Sequence, residues 1–113
     1  MPTHTGFFTK ALTQTITAIE LMATQKGTTI AELSKSLSLT RRSVFRLIRT
    51  IDHDLNIPII IDRKEFGGPA TYRLPPELVE RFSHATTPSF ILSFRQAILF
   101  HLILKDEVFH DNR

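Results

Sequence analysis

Hydrophobic residues recur every three to four positions in the first half of the chain, a spacing typical of helices with one buried face. A first helix is predicted from about Thr9 to Lys26, and Gly27 is placed to end it. A second helix is predicted from about Ile30 to Leu37. Thr29 precedes it and Glu32 lies three residues on, which predicts a capping box. The apolar face of the first helix holds Phe8, Leu12, Ile16, Ile19 and Ala23.

A third predicted helix, from about Arg41 to Asp52, has an apolar side and a cationic side. Ser38 and Leu39 form the turn before it, and Thr40 is expected to cap it. Its expected buried stripe consists of Val44, Leu47, Ile48 and Ile51. The remaining surface carries Arg42, Arg46 and Arg49, with Arg41 and Phe45 on one flank and Ser43 on the other. Such a face is either a solvated helix surface or a binding surface for phosphate.

The segment that follows predicts a β-hairpin with a basic tip. Residues 57–62, IPIIID, are rich in β-branched side chains, and Pro58 is typical of a strand start or a sheet edge. Residues 70–74, ATYRL, alternate as a returning strand does. The loop between them carries Arg63 and Lys64 before a Gly-Gly turn. The tip is either an ordinary charged loop or a second point of contact with a polyanion.

The last part of the chain predicts two further helices. Pro75-Pro76 begins a short helix that ends at about Phe82, residues 83–89 form a linker, and a long helix spans about Ser89 to Phe109. The long helix is apolar around most of its circumference and so needs burial on two sides. We expect a homodimer through it; the alternative is that it packs entirely on its own chain. The expected interface stripe is Ile91, Phe94, Ile98, Leu102 and Phe109.

Composition narrows the possible functions. The 113 residues, 42% of them hydrophobic, suffice for one domain with an appended element, and we place these at residues 1–82 and 83–113. The chain has no cysteine, and its five histidines lack metal-ligand spacing. No nucleophile motif or phosphate-binding loop appears, so we expect no enzyme activity, metal or cofactor. Without a signal sequence or a 20-residue apolar run, we expect a cytoplasmic protein with no membrane partner.

The order helix, helix, turn, helix and hairpin is that of the winged helix-turn-helix, with the helix-turn-helix at about 29–52 and the wing at about 57–74. The chain resembles the DNA-binding module of DeoR-like and WYL-type bacterial transcription regulators over roughly residues 19–74. The matching residues are Ala31-Glu32-Leu33, Leu37, Leu39, Thr40 to Arg46, Gly67-Gly68 and Tyr72-Arg73-Leu74. The departures are Ser38 for glycine, Phe45 for tyrosine, and Leu47-Ile48 for Asp-Leu.

This resemblance implies a mainly α fold with a small β-hairpin, that is, a three-helix core plus a wing. The apolar pattern of the C-terminal helix adds the expectation of an extra helix for dimerisation. Too few residues follow Leu74 for a WYL-type sensor domain, so we expect no small-molecule effector. The resemblance also implies sequence-specific binding of double-stranded DNA by a transcription regulator, which we expect to be a dimer. We expect residues 41–52 to lie in the major groove. The alternative is a winged-helix module that binds a protein partner through the apolar C-terminal helix; RNA binding is a lesser third reading.

We expect the DNA-binding residues to divide by role. Arg42 and Arg46 are placed to bind guanine edges, and Arg41 and Arg49 to bind phosphates. Phe45 either contacts a thymine methyl or, the favoured interpretation, covers the core. Arg73 binds phosphate or pairs with Asp62. The full expected set is Thr40, Arg41, Arg42, Ser43, Phe45, Arg46 and Arg49, with Arg63 and Lys64 of the wing on the minor groove or the backbone.

Overall fold

The computed structural model describes residues 2–86 and 91–111, and the side chains of residues 10–86 and 91–104. The described chain is mainly helical, with five α-helices and one two-stranded antiparallel sheet. It divides into two compact units, Met1–Leu74 and Pro75–Arg113. The elements are α1 Pro2–Met22, α2 Ile30–Leu37, α3 Arg41–Arg49, β1 Ile60–Asp62, β2 Thr71–Arg73, α4 Pro76–Ser83 and α5 Phe94–Asp111.

Helix α1 begins and ends earlier than predicted. It ends at Met22 rather than Lys26, because the Thr24 hydroxyl donates to the carbonyls of Leu21 and Gly27 and draws residues 23–27 into a turn. Ala23, which the sequence placed on the apolar face of this helix, therefore lies just beyond its end and is only partly buried. The buried side chains of α1 are Ile16, Ala18, Ile19 and Met22.

Helix α2 has the predicted bounds, and its capping box is confirmed. The Thr29 hydroxyl accepts a hydrogen bond from the Glu32 amide at 3.1 Å, and the Glu32 carboxylate accepts one from the Thr29 amide at 3.0 Å. These bonds satisfy two amides that the first turn of a helix otherwise leaves without partners. Ile30, Leu33 and Leu37 are buried, as their helical spacing predicts.

Helix α3 ends at Arg49, and the chain continues to Asp54 as one π-helical turn. In this turn the Leu55 amide donates to the Thr50 carbonyl at 3.0 Å. The wider turn brings Ile51 and Ile57 into the core, where both are fully buried. Val44 and Ile48 are buried as predicted, but Leu47 is only half-buried, so its place in the buried stripe was predicted wrongly.

The hairpin strands are shorter than predicted and pair in the register Ile60 with Arg73, Ile61 with Tyr72, and Asp62 with Thr71. Backbone hydrogen bonds fasten the hairpin to the helices. Thr28 and Tyr72 exchange two N–H···O bonds of 2.9 and 2.7 Å, and the Leu74 amide donates to the Met22 carbonyl at 2.8 Å. Gly27 lies against this bridge with φ +75°, and a Cβ there would come within 2.7 Å of the Tyr72 carbonyl oxygen.

In the second unit, α4 begins at Pro76 as predicted, whereas α5 begins at Phe94 instead of Ser89. Ser93 accounts for the later start, because its hydroxyl accepts from the Gln96 amide at 3.1 Å and the Gln96 side chain accepts from the Ser93 amide at 2.9 Å. The Phe82 ring packs edge-on against Phe94 and His101, with ring centroids 5.7 and 5.5 Å apart. Helix α4 therefore groups with α5, and the division expected after Phe82 lies instead after Leu74.

Gly27→Ala tests the attachment of the hairpin. We expect it to lower the free energy of unfolding by about 2–4 kcal/mol, because a left-handed backbone and a clash with the bridge both oppose a methyl group. The measurement is urea denaturation followed by circular dichroism. The control is Gly67→Ala, whose φ is +92° but whose Cβ would meet nothing within 4 Å, so that only about 1 kcal/mol is expected. Equal losses in the two variants would contradict this account.

Candidate nucleic-acid interface

The turn between α2 and α3 holds the start of α3 in a fixed position. Ser38 adopts a left-handed conformation at φ 55°, the one that glycine usually supplies after a helix. The Leu39 amide donates to the Ser34 carbonyl at 3.1 Å, and the Ser34 hydroxyl donates to the Leu39 carbonyl. The Ser38 amide donates to the Lys35 carbonyl at 3.4 Å. The sequence departure at Ser38 is thus accepted at the cost of a strained backbone.

The predicted cap of α3 is confirmed, and it divides the roles of two hydroxyls. The Thr40 hydroxyl accepts from the Ser43 amide at 3.1 Å and donates to the Ser43 hydroxyl at 3.0 Å. The only hydroxyl hydrogen of Thr40 is used inside the cap. Of these two hydroxyls, the one that can donate to an anion is therefore that of Ser43. The amides of Arg41 and Arg42 lie in the first helical turn, where no carbonyl of the helix can pair with them.

Four arginines form the outer face of α3, and we call them the arginine face: Arg41, Arg42, Arg46 and Arg49. All four side chains are exposed, while Val44 and Ile48 on the other side are buried. None of the four has an ion-pair partner among the side chains that the structure describes. Together with Phe45 they line one shallow surface depression. The helix therefore presents guanidinium groups that no carboxylate among the described side chains neutralises.

Phe45 does not cover the core, contrary to the favoured interpretation of the sequence. Its side chain is 48% exposed and lies among the guanidinium groups of the arginine face. Its position one residue after Val44 turns it about 100° away from the buried side of α3. An aromatic ring is thus held at the surface within a cationic patch.

The hairpin tip is exposed throughout residues 61–69. Arg73 pairs with Asp62 at 2.6 Å, which is one of the two alternatives left open by the sequence. Arg63 and Lys64 have no ion-pair partner within the described side chains. Phe66, at 95% exposure, is an apolar tip residue that sequence reasoning missed. Its setting, between charged residues and two glycines, was the available signal.

The apolar residues of α5 differ in exposure from the predicted interface stripe. Ile98 and Leu102 are buried within the chain and Phe94 is half-buried, because α4 packs against this side of α5. Of the stripe only Ile91 is largely exposed, and Phe109 lies outside the described side chains. Ile98 and Leu102 must therefore be removed from the expected interface. Among the side chains of α5 that the structure describes, residues 94–104, the exposed large apolar ones are Phe100, Ile103 and Leu104.

Two further observations bear on the site. The described residues contain no group of three or more side chains able to hold a metal ion. No helix in the described part of the chain is long and apolar enough to cross a bilayer.

Comparisons found no protein-family model that matches the chain and no curated protein or solved structure that is significantly similar to it.

Ser38→Gly tests the strain in the turn before α3. We expect it to raise the free energy of unfolding by about 0.5–1 kcal/mol, because glycine removes most of the cost of the left-handed conformation. The control is Ser36→Gly on the exposed side of α2, where helical backbone makes glycine about 0.5 kcal/mol less favourable than serine. Thermal unfolding of both variants provides the comparison. Destabilisation by Ser38→Gly would show that the turn carries no strain.

Proposed function

We propose that this chain binds double-stranded DNA sequence-specifically as a dimeric transcription regulator, with α3 in the major groove. The observation that carries the proposal is the arginine face: four exposed guanidinium groups within one nine-residue helix, without ion-pair partners in the described structure. Like charges three or four residues apart on a helix repel one another. A polyanion removes that repulsion and releases its own counterions on binding.

The dimensions of α3 fit this role. Nine residues at 1.5 Å per residue give a helix of about 13 Å, and an α-helix fits the major groove, where its first turns reach the base edges. Arg42 and Arg46 are one helical turn apart, and each is suited to bidentate contact with guanine O6 and N7. Arg41, Arg49 and the Ser43 hydroxyl are assigned to phosphates. The fixed turn at Ser38 preorganises these groups before DNA arrives.

The hairpin supplies the second contact in this proposal. The Thr28–Tyr72 bridge fastens it to the same unit as α3, and the element order supports a winged helix-turn-helix arrangement. Arg63 and Lys64, at an exposed tip, are assigned to the minor groove or the backbone next to the groove that α3 occupies.

A second copy of the chain completes the proposal. Phe100, Ile103 and Leu104 recur at helical spacing on α5 and are 43%, 43% and 59% exposed. Covering these side chains on association would remove apolar surface from water. A twofold dimer would present two copies of α3 and favour a pseudo-palindromic site with half-sites about 34–36 Å apart, or a multiple of that. The competing proposal is that the chain is a monomer and that a different protein binds to this surface.

Arg42→Ala and Arg46→Ala test the arginine face. Each is expected to weaken binding to a duplex selected from a random pool by about 5- to 150-fold, the range that corresponds to 1–3 kcal/mol for a bidentate contact. Gel-shift titration measures the affinity, and circular dichroism confirms that the exposed substitutions leave the fold intact. Arg81→Ala, an exposed arginine on α4, is the control for loss of one positive charge. Unchanged affinity in both α3 variants would defeat the proposal.

Leu104→Glu tests the dimer. We expect the wild-type chain to have the mass of a dimer in light scattering and the variant that of a monomer, because a buried, unpaired carboxylate opposes association. Phe66→Glu, an exposed apolar-to-acidic change on the hairpin, should leave the mass unchanged. A monomeric wild-type chain at tens of micromolar would instead favour a protein partner for α5.

A further inference from the structure

Phe45 is the one apolar residue of α3 whose side chain is exposed, and it lies among the arginines of the arginine face. It lies at the centre of α3, and the residues around it are Arg41, Arg42, Arg46 and Arg49. Nearly half of the side chain is open to solvent, because Phe45 lies on the flank of α3, about 100° from the buried Val44. About half of the side chain therefore stays outside the folded core, and the residues that line the depression around it are all arginines.

The chemistry of the major groove determines what such a ring can contact. Base edges in that groove present hydrogen-bond donors and acceptors, to which arginines are complementary, and a single kind of apolar group, the C5 methyl of thymine. Phosphates and sugars offer no preferred partner for an aromatic ring on a helix inside the groove. A surface that carries both guanidinium groups and a phenyl ring can thus recognise bases in two ways, by hydrogen bonds to base edges and by apolar contact with a thymine methyl.

We infer that Phe45 determines specificity by packing against a thymine methyl beside a guanine that Arg42 or Arg46 contacts. The inference rests on the proposed binding of α3 in the major groove. Arg42 is three residues before Phe45, a spacing at which Cβ atoms on a helix lie about 5–6 Å apart, and Arg46 directly follows Phe45, with consecutive Cα atoms about 3.8 Å apart. Stacked bases are about 3.4 Å apart. The thymine should therefore lie within about two base pairs of the guanine.

The experiment removes the methyl group without changing the base pairing. The probe is the duplex that ranks first after selection from a random pool, and each of its thymines is replaced in turn by deoxyuridine. At one thymine in each half-site we expect the wild-type affinity to fall about fourfold, the factor that corresponds to the transfer of one methyl-sized group from water. Phe45→Ala should bind the thymine and uracil duplexes equally.

Phe66→Ala is the matched control, because it removes another exposed phenyl ring from the first unit but from outside α3. It should retain the fourfold ratio between thymine and uracil. The scan on the wild-type chain stands by itself if Phe45→Ala does not fold.

The outcomes separate this inference from the proposed function. Specific binding by the wild-type chain that is indifferent to uracil at every position would overturn the role of Phe45 and leave DNA binding intact. A Phe45→Ala variant that binds less tightly overall yet keeps the thymine preference would also overturn it. Failure of the wild-type chain to select any sequence would overturn both.

Discussion

Burial of one side of α3 is the constraint on which the rest of the first unit depends. Val44 and Ile48 lie in the core, and Ile51 joins them in the π-helical turn. A helix held by these side chains has no rotational freedom, so the positions that remain must face outward. The exposed positions of α3 carry arginine and one phenylalanine, and Ser43 and Leu47 between the two sides are half-buried. The same contacts that stabilise the fold therefore also determine which groups meet a partner, and a change in the buried stripe would alter both.

Two backbone features extend this constraint to neighbouring elements. The left-handed residue at Ser38 directs the chain from α2 into α3 within a short turn. The bridge between Thr28 and Tyr72 fastens the hairpin to the helices through main-chain hydrogen bonds, which depend little on side-chain identity. These hydrogen bonds do require that position 27 be glycine, because a Cβ there would lie 2.7 Å from the Tyr72 carbonyl oxygen. Orientation of the arginine face and attachment of the hairpin thus rest on local geometry more than on long-range electrostatics.

The sequence predicted those parts of the structure that local rules determine. The capping box of α2 and the cap of α3 follow from spacing alone, whereas the sequence left the Arg73–Asp62 pair as one of two alternatives. The prediction for Phe45 was wrong because an aromatic residue on the flank of an amphipathic helix can turn toward the core or toward solvent. Only the folded structure shows that the Phe45 side chain stays exposed. The burial of Ile98 and Leu102 depends on the packing of α4 against α5, a tertiary contact that periodicity does not reveal.

The proposed function depends on three features together: the turn at Ser38, the buried side of α3, and arginines that no described carboxylate neutralises. Its most direct test is a nuclear magnetic resonance titration, in which assigned backbone amides are followed as a selected duplex is added. The account predicts the largest chemical-shift changes in residues 41–49, with a second set in residues 63–69. Changes confined to α4 and α5 would place the contact elsewhere and contradict the central claim.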